Sequence, residues 1–173
     1  MTHCASFAPV SRPDARVLIL GTLPGVESLR RQEYYAKRQN VFWPILGEVA
    51  GAGPEMPYEQ RLERLKGAGL ALWDVCASAR RDGSLDVKIR DMQPNDFARF
   101  FRAHPNIALI CFNGQTAAKL FERFVGPGLP EEAGKIARTT LPSTSPAHAG
   151  MRFEQKLALW RTALIPALMD RNL

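Results

Sequence analysis

The sequence predicts an α/β fold, a three-layer sandwich in which a central, mainly parallel four-stranded sheet lies between helices. Short aliphatic runs alternate with longer helix-prone segments, which is typical of this class. Most of these runs lead directly into loops of glycine, proline or small polar residues. Because right-handed crossovers bring the carboxyl ends of parallel strands to one edge, we expect these loops to converge. The predicted strands are residues 16–20, 70–76, 107–112 and 135–141.

The segments between the predicted strands carry helical signals. The clearest is at the C-terminus, where an apolar stripe recurs at helical spacing: Phe153, Leu157, Trp160, Leu164 and Leu168. Asn95 is the predicted cap of a further helix. Residues 1–15 are expected to be irregular and residues 79–90 to be a polar loop. The remaining predicted helical segments are 27–38 (helical or partly ordered), 44–50, 57–66 and 115–125.

Length and composition indicate one domain over residues 1–173, with a hydrophobic content of 46% that suits a globular core. No membrane span or signal pattern is visible, so we expect a cytoplasmic protein that acts as a monomer. The three cysteines and three histidines show no spacing typical of a disulfide framework or a metal site. We therefore expect neither a metal nor a cofactor.

The chain is basic, with a formal net charge of +6, a sequence pI of about 9.6 and more arginine than lysine. Guanidinium groups bind phosphate oxygens in pairs, so this composition suits a nucleic-acid partner. Many proteins of this size are mildly basic without such a partner. Charge alone therefore leaves both alternatives open.

Four short motifs follow one another along the chain: GTLPG after the first strand, QNVFW beyond it, FNGQTA after the third strand and PSTSPA after the fourth. Their order and spacing resemble the uracil-DNA glycosylase superfamily, in particular its hypoxanthine-DNA (deoxyinosine) glycosylase family. The mismatch-specific uracil glycosylases are the next most similar. The resemblance covers essentially the whole chain. The iron–sulfur branches of the superfamily are excluded, because they need four cysteines and this chain has three.

The resemblance implies a DNA repair enzyme that hydrolyses the N-glycosidic bond of a deaminated base by base flipping and water attack. The expected base is hypoxanthine in deoxyinosine, with weaker action on uracil. The alternatives are a mismatch-type uracil-DNA glycosylase and a non-catalytic nucleic-acid-binding module of the same fold. A small-molecule enzyme that binds phosphate at the GTLPG loop is disfavoured, because no GxGxxG or P-loop lysine occurs. The implied partner is DNA that contains a deaminated base.

The GTLPG loop is implied to line the base pocket through Gly21, Leu23, Pro24 and Gly25, since glycine permits close backbone approach to a ligand. A simple strand-to-helix turn is the alternative. Many relatives carry Asn or Asp where this chain has Leu23. Leucine cannot hydrogen-bond a water molecule, so the loop is expected mainly to shape the pocket.

Asn40 is the implied catalytic residue, because it precedes the Phe-Trp pair as the catalytic Asn does in the hypoxanthine family. Its amide oxygen can orient water and face the positive charge of an oxocarbenium-like transition state. The alternative is that Asn40 caps the helix that begins near Pro44. Phe42 and Trp43 are read as packing residues.

Two further residues are implied to bind the base. Tyr35 occupies the place of an aromatic that stacks on the extruded base, although Tyr34 is an alternative. Asn113 can pair its amide with the N1–H and O6 of hypoxanthine, or with the matching N3–H and O4 of uracil. Adenine presents the reversed pattern and would leave buried groups unpaired. An Asx turn with Gly114 is the other interpretation of Asn113.

The loop after the fourth strand is implied to grip the DNA strand, with hydroxyl groups that contact phosphates. Ser143 stands where the best-known form of this loop has a histidine, which weakens the stabilisation of the leaving group. His148 either compensates or is simply solvated. A proline-bounded turn is the alternative for the whole loop. The implied DNA-binding residues are Ser143, Thr144, Ser145, Pro146, Ala147 and His148.

The charged run from Arg80 to Asp86 lies between the second and third predicted strands. Its default interpretation is a solvated loop, with contact to DNA as the alternative. Asp86 lacks a second carboxylate at a sensible sequence spacing, so we do not expect it to act as a general acid.

Overall fold

The computed structural model describes residues 1–170. The strands are β1 (Thr2–Ala5), β2 (Val17–Gly21), β3 (Leu70–Asp74), β4 (Cys76–Arg81), β5 (Arg90–Pro94), β6 (Leu109–Asn113) and β7 (Ala137–Leu141). The helices are α1 (Val26–Arg31), α2 (Phe42–Ala50), α3 (Tyr58–Gly67), α4 (Phe97–Ala103), α5 (Gln115–Phe124), α6 (Glu131–Gly134) and α7 (Phe153–Met169).

The main sheet is parallel, with the strand order β3-β2-β6-β7. Every residue of β2 and β3 is buried, as expected for strands covered on both faces. Their last residues pair in register, so that Gly21 lies opposite Asp74. On the other side of β2, Asn113 ends β6 opposite Leu141 of β7. The predicted fold is therefore confirmed, and the ends of the strands meet at one edge.

The two faces of this sheet carry separate apolar layers because alternate strand residues point to opposite sides. Leu18 and Leu20 of β2 pack with the aromatic residues of α4 and α5. Val17 and Ile19 pack on the opposite face with α2, α3 and α7. Residues from α2 and α7 meet there, since Phe42 and Trp160 lie 6.1 Å apart in an edge-to-face arrangement. These layers form the predicted three-layer sandwich.

The C-terminal helix α7 matches its predicted apolar stripe. Trp160 and Leu164 are fully buried, and the other members of the stripe pack partly buried around them. The Trp160 indole Nε1 donates a hydrogen bond of 3.0 Å to the carbonyl oxygen of Pro142. This bond connects the core to the start of the loop after β7.

A second, antiparallel sheet with the order β1-β4-β5 corrects the prediction for residues 1–15 and 79–90. The expected irregular start contains β1, whose Cys4 is buried against Ala79 of β4. The expected polar loop contains the end of β4 and the start of β5. Neither β1 nor β4 has a continuous apolar pattern, because each packs only a few side chains into the small apolar cluster beside the second sheet.

The predicted cap of α4 is also corrected. The side chain of Asp96 caps this helix by accepting a hydrogen bond of 3.0 Å from the Arg99 backbone N–H. Asn95 instead donates its amide hydrogens to the carbonyl oxygens of Asp74 and Cys76, at 2.8 and 3.3 Å. It therefore fixes the point where the chain leaves the main sheet for the second one. The segment predicted at 27–38 is helical only in α1.

Replacing Leu164 with alanine tests the packing of α7. We expect a loss of roughly 2–5 kcal/mol in the free energy of unfolding, because the side chain is fully buried and its removal leaves a cavity. Leu159 of the same helix is 46% exposed, so Leu159→Ala is a matched control with an expected loss below about 1 kcal/mol. Urea denaturation followed by circular dichroism gives both values, and equal losses would contradict this packing.

Candidate active site

A cavity of about 170 Å³ opens at the carboxyl edge of the main sheet. It is bounded by the loops that follow β2, β6 and β7, by the segment before α2 and by the turn between β4 and β5. The structure thus brings most of the implied site residues together. The implied residues that line the cavity are Gly21, Leu23, Pro24, Gly25, Tyr35, Asn40, Asn113, Ser143, Thr144, Ser145, Pro146 and Ala147.

His148 is the exception among the implied residues, because it is exposed and does not line the cavity. Its carbonyl oxygen accepts a hydrogen bond of 2.8 Å from Nζ of Lys156, and this contact ties the loop to α7. The contact fixes the backbone at His148 and does not involve the imidazole ring. A role for the ring in stabilising the leaving group has no support from its position.

Gly21 permits two polar side chains to approach the backbone at the floor of the cavity. A Cβ atom at this position would lie 2.6 Å from Asp74 Oδ1 and 2.9 Å from the Tyr35 hydroxyl oxygen. Both distances are too short for any side chain. Glycine is therefore required at this position, and its absent side chain leaves the space in which these two groups converge.

Tyr35 is held in an uncommon conformation. Its φ of 54° lies in the left-handed region, which costs free energy for a residue with a side chain. One face of its ring stacks on Phe42 at a centroid distance of 4.0 Å and an interplanar angle of 22°. Its hydroxyl is buried and has no hydrogen-bond partner within residues 1–170. Burial raises the pKa of the Tyr35 phenol, so this group stays neutral.

Asn40 lines the cavity, and its side chain also serves the start of α2. Its Oδ1 accepts a hydrogen bond of 3.0 Å from the Phe42 backbone N–H. The alternative interpretation, a structural role before this helix, thus describes part of what the side chain does. An amide oxygen has two lone pairs, so one remains for a water molecule. The implied catalytic role stays a prediction.

Asn113 is bound on both sides of its amide by Thr144. Its Nδ2 donates to Thr144 Oγ1 and its Oδ1 accepts from the Thr144 backbone N–H, each at 2.9 Å. This pair of bonds replaces the Asx turn considered from the sequence and ties β6 to the loop after β7. One amide hydrogen and one oxygen lone pair remain for a base. The base contact of Asn113 stays a prediction.

The loop after β7 is organised by its own hydroxyl groups. Ser143 Oγ accepts from the Ser145 backbone N–H and Ser145 Oγ from the Ala147 backbone N–H, both at 3.2 Å. Thr144 is buried, and its hydroxyl is engaged by Asn113. Thr144 therefore positions this loop from the inside, whereas Ser145 is partly exposed and Pro146, Ala147 and His148 are exposed.

Leu23 lines the cavity and also packs against the second sheet. It belongs to the small apolar cluster formed with Cys4, Cys76 and Ala79. A polar residue at this position would lose that packing. This explains physically why the loop shapes the pocket and does not supply a group that holds water.

Arg81 corrects the expectation of a solvated charged run, because its side chain is completely buried. It donates hydrogen bonds to the backbone carbonyl oxygens of Leu23 and Pro24 and, at 2.9 Å, to that of Gly83. Its Nη1 also lies 3.4 Å from Asp86 Oδ1. The buried guanidinium thus joins the β4–β5 turn to the GTLPG loop. Its neighbour Arg80 is exposed, as expected.

Two aspartates line the cavity, so the structure gives Asp86 a carboxyl neighbour that its sequence spacing did not reveal. The second is Asp74, which is buried at the end of β3 and accepts a hydrogen bond of 3.3 Å from Ser6 Oγ. Burial raises the pKa of Asp74 to about 7, and the negative charge of Asp86 adds to this effect. Burial also raises the pKa of Asp86, against the opposing effects of a hydrogen bond from Thr22 and the charge of Arg81.

Sequence reasoning missed Asp74 because it assigned this residue to the interior of a strand. The available signal was an acidic residue inside an otherwise apolar run, which is costly unless it serves a purpose. Most of the other missed lining residues are polar and lie outside the recognised motifs. Ser84 is one example, since its Oγ accepts a hydrogen bond of 2.9 Å from the Val26 backbone N–H at the start of α1. The rest are Glu27, Ser28, Lys37 and Leu85, together with Thr22 of the GTLPG loop.

The part of the chain that the structure describes holds no group of three or more His, Cys, Asp or Glu residues able to bind a metal ion. No helix within that part is long and apolar enough to cross a membrane. The three cysteines, Cys4, Cys76 and Cys111, are buried free thiols.

Fold and site together define an α/β protein with a narrow ligand pocket at the carboxyl edge of a parallel sheet, the position where such sheets bind ligands. The profile of the Uracil DNA glycosylase superfamily matches residues 8–168. The chain belongs to this superfamily, which confirms the resemblance that its motifs indicate.

Similar proteins include two that are named hypoxanthine DNA glycosylase. One, from Methanosarcina acetivorans, is 38% identical over 138 residues, or 76% of this chain and 87% of the relative. The other, from Methanosarcina barkeri, is 39% identical over 114 residues, or 65% of this chain and 72% of the relative. A solution NMR structure from M. acetivorans, of a protein described as a candidate uracil DNA glycosylase, superposes with a TM-score of 0.79. It is 33% identical, and the match covers 96% of this chain and 99% of that one.

Replacing Asp74 with asparagine tests the raised pKa of this carboxyl. In the unfolded chain the pKa of Asp74 is about 4. Below that pH the folded and unfolded states both carry the proton, so the buried carboxyl does not lower the stability of the wild type. Between pH 4 and 7 the unfolded state loses the proton first, so wild-type stability falls by about 1.4 kcal/mol per pH unit. Asp74→Asn is therefore expected to match the wild type at pH 4 and to exceed its stability at pH 8. Urea denaturation at both pH values measures this, with the exposed Asp82→Asn as control.

Replacing Arg81 with methionine tests the buried guanidinium. We expect a loss of roughly 3 kcal/mol or more in the free energy of unfolding, because the loop carbonyls and Asp86 lose their partner. Arg80→Met is the matched control, since Arg80 is exposed in the same strand and should change stability by less than about 0.5 kcal/mol. Equal losses of stability for the two variants in urea denaturation would show that Arg81 does not hold the β4–β5 turn to the GTLPG loop.

Proposed function

We propose that this protein is a monofunctional DNA glycosylase that hydrolyses the N-glycosidic bond of deoxyinosine and releases hypoxanthine. The observation that carries the proposal is the convergence of Asn40, Tyr35 and Asn113 on one narrow cavity in a chain of the uracil DNA glycosylase superfamily. The names of the two Methanosarcina relatives support hypoxanthine as the base.

The cavity suits a flat base that has rotated out of the DNA stack. Its volume of about 170 Å³ accommodates a small ring system. The Tyr35 ring, held on Phe42, offers an aromatic wall, and the free part of the Asn113 amide offers a donor and an acceptor. A base that matches this pair gains hydrogen bonds, whereas adenine leaves them unmade.

Asn40 acts on the sugar side of the bond in this proposal. Departure of the base leaves positive charge on the deoxyribose, in an oxocarbenium-like state. The second lone pair of Asn40 Oδ1 holds the attacking water and faces this charge. The bond from Phe42 N–H fixes the amide in advance, so little reorganisation is needed at the moment of reaction.

Contacts to the DNA strand come from the outer part of the loop after β7 and from the basic surface. Ser145, Pro146 and Ala147 lie at the rim of the cavity, where the Ser145 hydroxyl can donate to a phosphate. Lys37 is exposed at the same rim and supplies a positive charge. The net charge of +6 favours the approach of DNA and makes binding salt-dependent.

We also propose that a single copy is active and that it works in the cytoplasm. Every group assigned to the reaction comes from one chain, which supports the first statement. The free thiols at Cys4, Cys76 and Cys111 fit a reducing compartment, which supports the second.

Release of free hypoxanthine from an inosine-containing duplex tests the function. We expect release by the wild type and a rate roughly 100-fold lower for Asn40→Ala, because the water loses the group that orients it. Asn106→Ala is the matched control, since Asn106 is exposed and outside the cavity, and it should keep the wild-type rate. Asn40→Asp retains acceptors for both Phe42 N–H and the water, so it should keep more activity than Asn40→Ala.

Parallel duplexes with uracil opposite guanine distinguish the alternatives. Faster release of uracil than of hypoxanthine would assign the chain to the mismatch-type uracil glycosylases. DNA binding without release of either base would make it a non-catalytic module. Full activity of Asn40→Ala would leave the enzyme class in place and remove the assigned role of Asn40.

A further inference from the structure

We propose that Asp74 is a second catalytic residue, a general acid that donates its proton to N7 of hypoxanthine as the glycosidic bond breaks. This inference rests on the proposed function and adds to it the group that activates the departing base. No motif in the sequence pointed to this residue.

The carboxyl group of Asp74 is directed into the space where the base is proposed to bind. Its side chain ends β3 next to Gly21 and is 4% exposed. Oδ2 accepts the hydrogen bond from Ser6, whereas Oδ1 faces the space left by the absent side chain of Gly21. The Tyr35 hydroxyl reaches the same space without a partner among the described residues. Asp74 Oδ1 and the Tyr35 hydroxyl are therefore both available to bind a ligand at the floor of the cavity.

The order of the strands relates Asp74 to the edge of the base. Asn113 and Asp74 end β6 and β3, which lie on either side of β2. Neighbouring strands are about 4.8 Å apart, so the backbones of the two residues are separated by roughly 10 Å. The two strand ends therefore flank Gly21, and we infer that one flat base can meet both side chains. If Asn113 pairs with N1–H and O6, the next acceptor around the purine is N7, which lies beyond O6 on the neighbouring edge, and we assign that side to Asp74.

The surroundings of Asp74 keep its proton in place near neutral pH. Burial and the charge of Asp86 both disfavour the carboxylate and raise the pKa of Asp74 to about 7. The hydrogen bond from Ser6 and, less strongly, the charge of Arg81 oppose this only in part, and Arg81 is itself bound to Asp86 and to loop carbonyls. The titratable and charged groups around Asp74 are Tyr34, Tyr35, Cys76, Arg81 and Asp86.

The proposed step balances as follows. The Oδ1 proton of Asp74 moves to N7, the bond between C1′ and N9 breaks, and its electron pair stays on N9. Hypoxanthine thus leaves as a neutral molecule with hydrogen on N7. The water held by Asn40 forms a bond to C1′ and loses its extra proton to solvent. Asp74, now a carboxylate, regains a proton from solvent, so that one water is consumed in all.

The same geometry distinguishes purines from pyrimidines. In uracil, the carbon next to C4 on this side carries a C–H and has no lone pair. A proton donor at Asp74 therefore assists hypoxanthine and gives no matching help to uracil. Proton donation by Asp74 therefore gives the pocket a preference for the purine. The Asn113 amide does not provide this preference, because it fits both bases.

Single-turnover release of hypoxanthine from pH 5 to 9 tests this proposal. We expect the wild-type rate to be level below pH 7 and to fall about tenfold per pH unit above it, because the acid form is lost. Asp74→Asn fills the same space and can still donate a hydrogen bond, so its Kd for the duplex should stay within about twofold. Its rate at pH 6 should be roughly 100-fold lower and should no longer fall above pH 7.

Asp82→Asn is the matched control, because Asp82 is an exposed carboxylate outside the cavity, and it should keep both the rate and the pH profile. A duplex with 7-deaza-2′-deoxyinosine needs only the wild-type protein. Its N7 is replaced by C–H, so its release should not fall above pH 7. A wild-type fall above pH 7 with this substrate would overturn the proposal.

Three further outcomes would overturn either the role of Asp74 or the proposed function. If Asp74→Asn releases hypoxanthine within about threefold of the wild type at pH 6, Asp74 is no general acid and the glycosylase assignment stands. If the variant is slow but keeps the fall above pH 7, Asp74 only positions its neighbours and the proposal fails. If the wild type releases no hypoxanthine at any pH, the proposed function itself fails.

Discussion

The guanidinium of Arg81 is buried between the GTLPG loop and the β4–β5 turn, and the shape of the pocket depends on it. It donates to the backbone carbonyls of the GTLPG loop and pairs with Asp86, so one side chain connects the β4–β5 turn to the loop after β2. A buried guanidinium is costly unless its donors are used. Here carbonyl oxygens that would otherwise lack partners use them. The loop is thereby fixed before any ligand binds, and electrostatic catalysis relies on such preorganisation.

The second consequence of this arrangement concerns the two aspartates of the cavity. Arg81 lies against Asp86 and attracts the carboxylate of Asp74 only weakly. The two side chains therefore differ in their surroundings although they line the same space. When two acids of one site have different surroundings, one of them can keep its proton while the other is charged. Leu23 packs against the second sheet and contributes no polar group to the cavity.

Much of the fold was predictable because the main sheet is buried on both faces, which produces continuous apolar runs at β2, β3 and β6. The second sheet was not, since β1 and β5 are short and largely exposed and leave no periodic pattern. The cap of α4 was misplaced by one residue, because Asn95 and Asp96 are both good caps in isolation. Asn95 is drawn to the carbonyls of Asp74 and Cys76 by contacts that sequence spacing does not reveal.

The sequence by itself indicated which segments are buried strands, which loops follow them, and that Asn40, Tyr35 and Asn113 lie near the ends of those strands. These features are local, because each depends on the residue types of one short segment. Only the tertiary structure decided that Arg81 is internal and that Asp74 faces the cavity beside Tyr35. Both depend on pairing between segments far apart in the chain, which sets burial and therefore charge state. A carboxyl group's neighbours in space fix its pKa, and those neighbours appear only when the sheet forms.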